Sequence, residues 1–187
     1  MARSRASRPA ATPSDLAAFV LGLVWQHGPC SAYEIRRFLL DSPSAQWSGS
    51  AGAIYPLVQR LERDGLLKGA QIRGDRRGRR EVTITAIGLA ALRSWIGPPL
   101  GPGVVTVTAD PLRSRARFLG ALTPTRRAAW IAAAKAALDE VLVAVERWDT
   151  IYGAASDPHL RFLTTHAKLE TAARRAWLDE LGKPGTR

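Results

Sequence analysis

The most constraining feature of this chain is a change of hydrophobic period at Gly65. Before it, apolar residues recur every three to four positions, the spacing of a buried helix face; after it, they alternate, as in a half-buried strand. Ser14 and Asp15 are placed to cap a first helix whose stripe is Leu16, Phe19, Val20 and Leu23, and Gly28-Pro29 ends it. A second helix is expected from Ser31, set three residues before Glu34 in a capping-box pattern, with Ile35, Phe38 and Leu39 buried and Pro43 closing it. A third is expected from about Ser50 to Asp64, burying Ile54, Leu57, Val58 and Leu61 and stopping at Gly65.

Beyond Gly65, Leu66-Leu67 and Gln71 to Arg73 read as a strand, Gly74 to Gly78 as a turn, and Glu81 to Thr85 as the return strand. Helical spacing resumes from Ala86 to Ile96 before a Pro/Gly-rich stretch starting at Pro98. Three helices followed by a two-stranded hairpin is the layout of a winged helix-turn-helix, in which the third helix enters the DNA major groove. The expected organisation is a disordered basic arm at 1–13, the winged domain at 14–97, a linker at 98–109, a helical dimerisation domain at 110–182 and a tail at 183–187. The fold class is thus mainly α with a small β-hairpin.

The second half reads as three helices, Asp110 to Leu122, Thr123 to about Gly153, and Asp157 to Leu181. In the middle one Ile131, Ala134, Leu138, Val141, Val145, Trp148 and Tyr152 repeat with alternating steps of three and four, a coiled-coil-type seam. So few helices cannot bury both faces alone, so a homodimer is expected, with Ile131, Leu138, Val141, Val145, Trp148, Tyr152, Leu169 and Trp177 at its interface.

A formal net charge of +11 over 187 residues favours a polyanionic partner, because Lys and Arg release counterions on meeting phosphates. One cysteine, Cys30, excludes an internal disulfide framework and a Cys-based zinc site. His27, His159 and His166 lack metal-like spacing, Ser31 has no His and Asp partners set for nucleophilic catalysis, and no Gly-rich phosphate loop is present. No cofactor, metal or catalytic residue is expected. Apolar runs fall short of the roughly 20 residues that span a bilayer, and Met1 to Asp15 lacks the apolar stretch of a secretory signal. The expectation is a cytoplasmic protein without membrane association.

The run Gln46 to Leu67, with Trp47, Ser50, Gly52, Ile54, Tyr55, Pro56, Leu57, Arg60, Leu61, Glu62, Gly65 and Leu66, resembles the PadR family of winged-helix regulators. Upstream, Gly28-Pro29 and Tyr33-Glu34-Ile35 match that family's opening, and downstream Thr85, Gly88 and Leu92 match a later stretch in which Val82 replaces the usual aromatic. The resemblance implies double-stranded DNA as partner, C-terminal dimerisation helices and an aromatic or lipophilic small-molecule effector. Physically, Gly52 lets the start of helix three approach a duplex closely, where helix N–H groups can meet a phosphate. Tyr55, Gln59 and Arg63 share one exposed face; Gln59 can read adenine, and Arg60 can meet phosphate or bridge to Glu62 or Asp64. Ser50 completes the candidates on this segment. At the hairpin, Arg73, Arg76, Arg77, Arg79 and Arg80 stand against the single acid Asp75, concentrating charge where a wing meets phosphates or a narrow minor groove.

Six tryptophans remain. Trp25 and Trp47 are expected in core or turn packing, the other four as interface anchors, with Trp95, Trp130 and Trp148 as candidate lining of a pocket for a flat apolar ligand. The expected function is a ligand-responsive homodimeric repressor on a palindromic operator. The alternatives are a small-molecule sequestering protein or a winged-helix protein-interaction module.

Overall fold

The computed structural model describes residues 13–44, 46–47, 49–72, 80–106, 109–152 and 159–183. The chain divides into two compact units, 1–105 and 106–187.

In the first unit, local capping chemistry places each helix. α1 (Asp15–His27) starts where Ser14 Oγ accepts from the Ala17 N–H at 3.3 Å, and stops at Gly28, where a Cβ would overlap the Val24 carbonyl. α2 (Ala32–Asp41) opens with a full capping box: Ser31 Oγ accepts from the Glu34 N–H at 3.3 Å, and Glu34 Oε2 accepts from the Ser31 N–H at 2.7 Å. α3 (Ala51–Arg63) ends in a Schellman motif. There Gly65, at φ 73°, donates to Glu62 O at 3.0 Å and Leu66 donates to Leu61 O at 2.9 Å.

β1 (Leu67–Gln71) and β2 (Arg80–Ile84) pair antiparallel, in register from Leu67↔Ile84 to Gln71↔Arg80. The far side of β2 is also held: Cys30 and Val82 exchange both backbone hydrogen bonds, at 3.2 and 2.8 Å, which fastens the hairpin to the α1–α2 connection. α4 (Ala86–Ile96) begins at Thr85, whose hydroxyl accepts from the Gly88 N–H at 3.0 Å and donates to Gly65 O at 2.7 Å. A side chain at Gly88 would overlap the Leu66 carbonyl, so helix and hairpin meet here at backbone distance. A one-turn helix, α5 (Pro102–Val105), closes the unit.

Leu21, Val20, Val24, Ile35, Ile54 and Leu61 form the fully buried centre, drawn from the stripes of α1, α2 and α3. Trp47 stacks on Phe19 with ring centroids 5.1 Å apart. Trp25 corrects an expectation: it lies on the outward side of α1 and is 55 % exposed. An apolar residue at the helix end falls outside the stripe that α2, α3 and α4 cover.

In the second unit the expected helix from Asp110 to Leu122 is broken into α6 (Pro111–Ala116), capped by the Asp110 carboxylate, and a 3₁₀ turn at Leu119–Ala121. Gly120 and the approaching Pro124 disfavour a continuous helix. α7 (Pro124–Tyr152) and α8 (Leu160–Leu181) pack as an antiparallel pair. Ion pairs Lys135–Asp179, Arg175–Asp139 and, at 4.0 Å, Lys168–Asp149 run between the two helices, and Arg174 on α8 reaches both Asp110 and Glu170. Leu138, Val145, Trp148 and Leu178 are buried.

Two measurements check this packing. Thr85→Ala removes the α4 cap and the tie to Gly65, and is expected to cost about 1–2 kcal/mol, read as a lower urea midpoint at unchanged m-value. Burial, and secondarily Glu34 and Glu81, push the Cys30 thiol up to about 11. The fold therefore holds the proton more tightly than the unfolded chain does, and this contribution is complete below pH about 9 and is lost as pH rises towards 11. The wild type is expected to lose more stability than Cys30→Ala between pH 8 and pH 10.5, with native Cys30 resisting alkylation at pH 8. Parallel pH profiles of the two proteins would contradict it.

Candidate nucleic-acid interface

The exposed side of α3 carries Gly52, Tyr55, Gln59, Arg60 and Arg63, opposite the buried Ile54, Leu57, Val58 and Leu61. Tyr55 is 40 % exposed, and nothing lies within 4 Å of where a Gly52 side chain would stand, so the first turn is open to a bulky partner. Pro56 is also exposed, and it lacks the N–H that would bond the Gly52 carbonyl one turn earlier. Without a Cβ at Gly52, that turn can absorb the proline ring.

The start of α3 differs from its neighbours. Ser14, Ser31 and Thr85 each cap a helix with a side-chain oxygen, whereas Ser50, at the N-cap of α3, does not. A helix N-terminus presents backbone donors and the positive end of the helix dipole, which suits an anionic oxygen. Ser50, Gly52, Tyr55, Gln59, Arg60 and Arg63 are therefore all on α3 or at its cap, and the 55, 59, 63 spacing does place three of them on one face.

Of the hairpin arginines, Arg73, Arg76, Arg77 and Arg79 lie outside the described residues. Arg80, the first residue of β2, donates from Nη2 to Glu62 Oε1 on α3 at 2.6 Å. Gln59, Glu62, Arg63 and Arg80 line one shallow groove between α3 and the hairpin. The Glu62–Arg80 pair escaped sequence reasoning, since the partners stand 18 positions apart and meet only through the hairpin register. Gly69 in the middle of β1 was the available signal, because an interior strand glycine marks a close approach.

The second unit redistributes the expected interface residues. Leu138, Val145 and Trp148 are buried within the single chain, where α7 packs on α8. Within the chain, α8 thus covers only part of the three-four stripe. Ile131, Tyr152 and Trp177 are half-buried, while Val141 is 43 % and Leu169 67 % exposed. Trp177 lines a shallow depression with Arg113, Ser114, Arg117 and Leu181.

Of the three candidate pocket tryptophans, Trp95 belongs to the first unit and Trp130 and Trp148 to the second. Trp95 donates its indole N–H to Asp15 Oδ1 at 2.9 Å, tying the end of α4 to the start of α1. Trp148 is buried with its ring 5.3 Å from Tyr152. Trp130 lies on the same helix as Trp148, roughly 27 Å away at 1.5 Å per residue, too far for one chain to bring both into a pocket for a small ligand. Among the described residues no three His, Cys, Asp or Glu side chains group to hold a metal ion, and no helix is long and apolar enough to cross a membrane.

Residues 20–94 match the family model of the transcriptional regulator PadR-like family. No functionally curated protein matches the sequence. Among solved structures, the chain is similar to Bacillus subtilis PadR in complex with operator DNA (TM-score 0.73, 20 % identity, covering 89 % of this chain and 96 % of that one). It is also similar to the same protein in complex with p-coumaric acid (TM-score 0.68, 19 % identity, 89 % and 95 %). A PadR-like transcriptional regulator from Bacillus cereus matches with TM-score 0.73 at 18 % identity over 92 % and 97 % of the two chains. At such identities the likeness is one of fold, and it extends beyond the winged domain to most of the chain.

Proposed function

We propose that this chain, whose residues 20–94 match the PadR-like family model, is a homodimeric repressor that reads a palindromic operator and is released by a small aromatic effector. The observation that carries the proposal is the exposed α3 face of Gly52, Tyr55, Gln59 and Arg63 beside a hairpin whose sequence is rich in arginine. In this reading α3 enters the major groove, with Gln59 and Tyr55 towards base edges and Arg60 and Arg63 towards phosphates. Arg73, Arg76, Arg77 and Arg79 extend the contact along the backbone or into the minor groove. Two copies place two such helices in successive major grooves about 34 Å apart.

Dimerisation is supported by the apolar surface that the α7–α8 pair leaves uncovered: Val141, Val143, Phe162, Leu163 and Leu169 are each at least 43 % exposed. Side chains of this kind gain from burial against a second copy. The effector reading is supported by the p-coumaric acid complex of the Bacillus subtilis protein. An effector that prefers the spacing of reading heads unsuited to DNA lowers DNA affinity by linkage.

The test is competition binding on a duplex from the region upstream of the protein's own coding sequence against a shuffled duplex. A preference of about 10³ or more is expected, and equal affinity for the two would refute the regulator mechanism. On the preferred duplex Gln59→Ala and Tyr55→Phe are expected to cost about 1–3 kcal/mol if they touch bases. A loss of the same size on shuffled DNA would assign them to the backbone instead.

A further inference from the structure

Glu62 leaves the last turns of α3 and ends against Arg80 at the start of β2. Glu62 is largely covered, its side chain 17 % exposed, while that of Arg80 is 52 % exposed. The pair sits beside Gly69 of β1, which is registered opposite Val82. A Cβ at Gly69 would overlap both Glu62 Oε1 and the Arg80 guanidinium, so any other residue there must displace the pair. The overlap is with the flexible ends of two side chains and not with backbone, so such a replacement can fold while losing the interaction.

An ion pair this exposed adds little to folding stability. It is also a poor way to attract phosphates: Glu62 cancels the Arg80 charge locally and sets a carboxylate in the groove that Gln59 and Arg63 also line. What it does supply is a second fastening between the helix and the hairpin. Thr85 and the Schellman turn at Gly65 already join them where α3 leads into β1. Glu62–Arg80 lies further along the ladder, over Gly69, and is joined to β2 at the Gln71↔Arg80 rung.

We propose that Glu62 and Arg80, admitted by Gly69, form a clasp that sets the angle of the hairpin to the recognition helix, which makes Arg80 a positioning residue for DNA binding and not a phosphate contact. The proposal rests on the DNA-reading function above and assigns Arg80 a different role from Arg73, Arg76, Arg77 and Arg79.

The test uses the full-length protein as wild type, Glu62→Ala, Arg80→Ala, the double variant, Gly69→Ala and Arg80→Lys. Affinity is measured across a salt series for the upstream duplex and a shuffled duplex, and hydrogen exchange of the β2 amides is measured without DNA. Each single variant that breaks the clasp is expected to weaken binding to the upstream duplex about 10-fold. The double variant should be no worse than either single one, the slope of log affinity against log salt should not change, and Arg80→Lys should recover most of the loss. In the DNA-free protein, β2 amides should exchange faster in Glu62→Ala, Arg80→Ala and Gly69→Ala, and no faster in the double variant than in the singles.

The clasp is overturned if Glu62→Ala tightens binding while Arg80→Ala flattens the salt slope by about one phosphate, since Arg80 would then contact DNA directly. Additive losses in the double variant would overturn it as well. If the wild type fails to prefer the upstream duplex, the DNA-reading function fails; exchange then decides the clasp alone, and unchanged β2 exchange in the variants sinks it.

Discussion

Strand β2 is held from both sides, and the arrangement of the winged domain follows from that. On one side it pairs with β1 from Leu67↔Ile84 to Gln71↔Arg80; on the other, Val82 exchanges two backbone hydrogen bonds with Cys30. An isolated two-stranded hairpin is only marginally stable in water. Here a third backbone segment, in the connection between α1 and α2, satisfies the outer edge of the sheet at its centre. The same contact buries Cys30, so the thiol serves as a small apolar residue whose ionisation is suppressed by its surroundings.

With the hairpin anchored, α3 can be fixed at its C-terminal end while its N-terminal end stays open. Gly65 and Leu66 complete the Schellman turn, Thr85 reaches back to Gly65, and Gly88 brings α4 against the Leu66 carbonyl. All of these fastenings lie at one end of the helix. At the other, nothing lies within 4 Å of where a Gly52 side chain would stand. The polarity suits a recognition helix, because rigidity is needed at the end that docks on the protein and accessible donors at the end that meets the anion.

What could be read from the sequence was what is decided locally. Ser14, the Ser31–Glu34 box and Gly65 mark helix ends through contacts within a few residues, and the structure uses them as their positions imply. Thr85 was noted only for its likeness to a family motif; its physical role, tying α4 to the loop after α3, depends on a contact 20 positions away. The Cys30–Val82 bridge and the Glu62–Arg80 pair were hidden for the same reason, since no local pattern announces a partner on another element. In the second unit the period of α7 marks a stripe that suits burial. It cannot say by what, and Leu138, Val145 and Trp148 turn out to pack within the chain while Leu169 stays outside. Trp25 stays outside because its position on α1 falls off the buried stripe, whatever its aromatic character.

The central claim, that α3 and the anchored hairpin form a sequence-reading surface used in duplicate, is tested most directly by unbiased selection of genomic DNA fragments with the purified full-length protein, followed by alignment of what is bound. The account predicts an enriched inverted repeat whose half-site centres are separated by one helical turn, about 34 Å or 10–10.5 base pairs. Retention of fragments without any shared sequence, in proportion to their length alone, would contradict it and reduce the basic surface to a general affinity for polyanions.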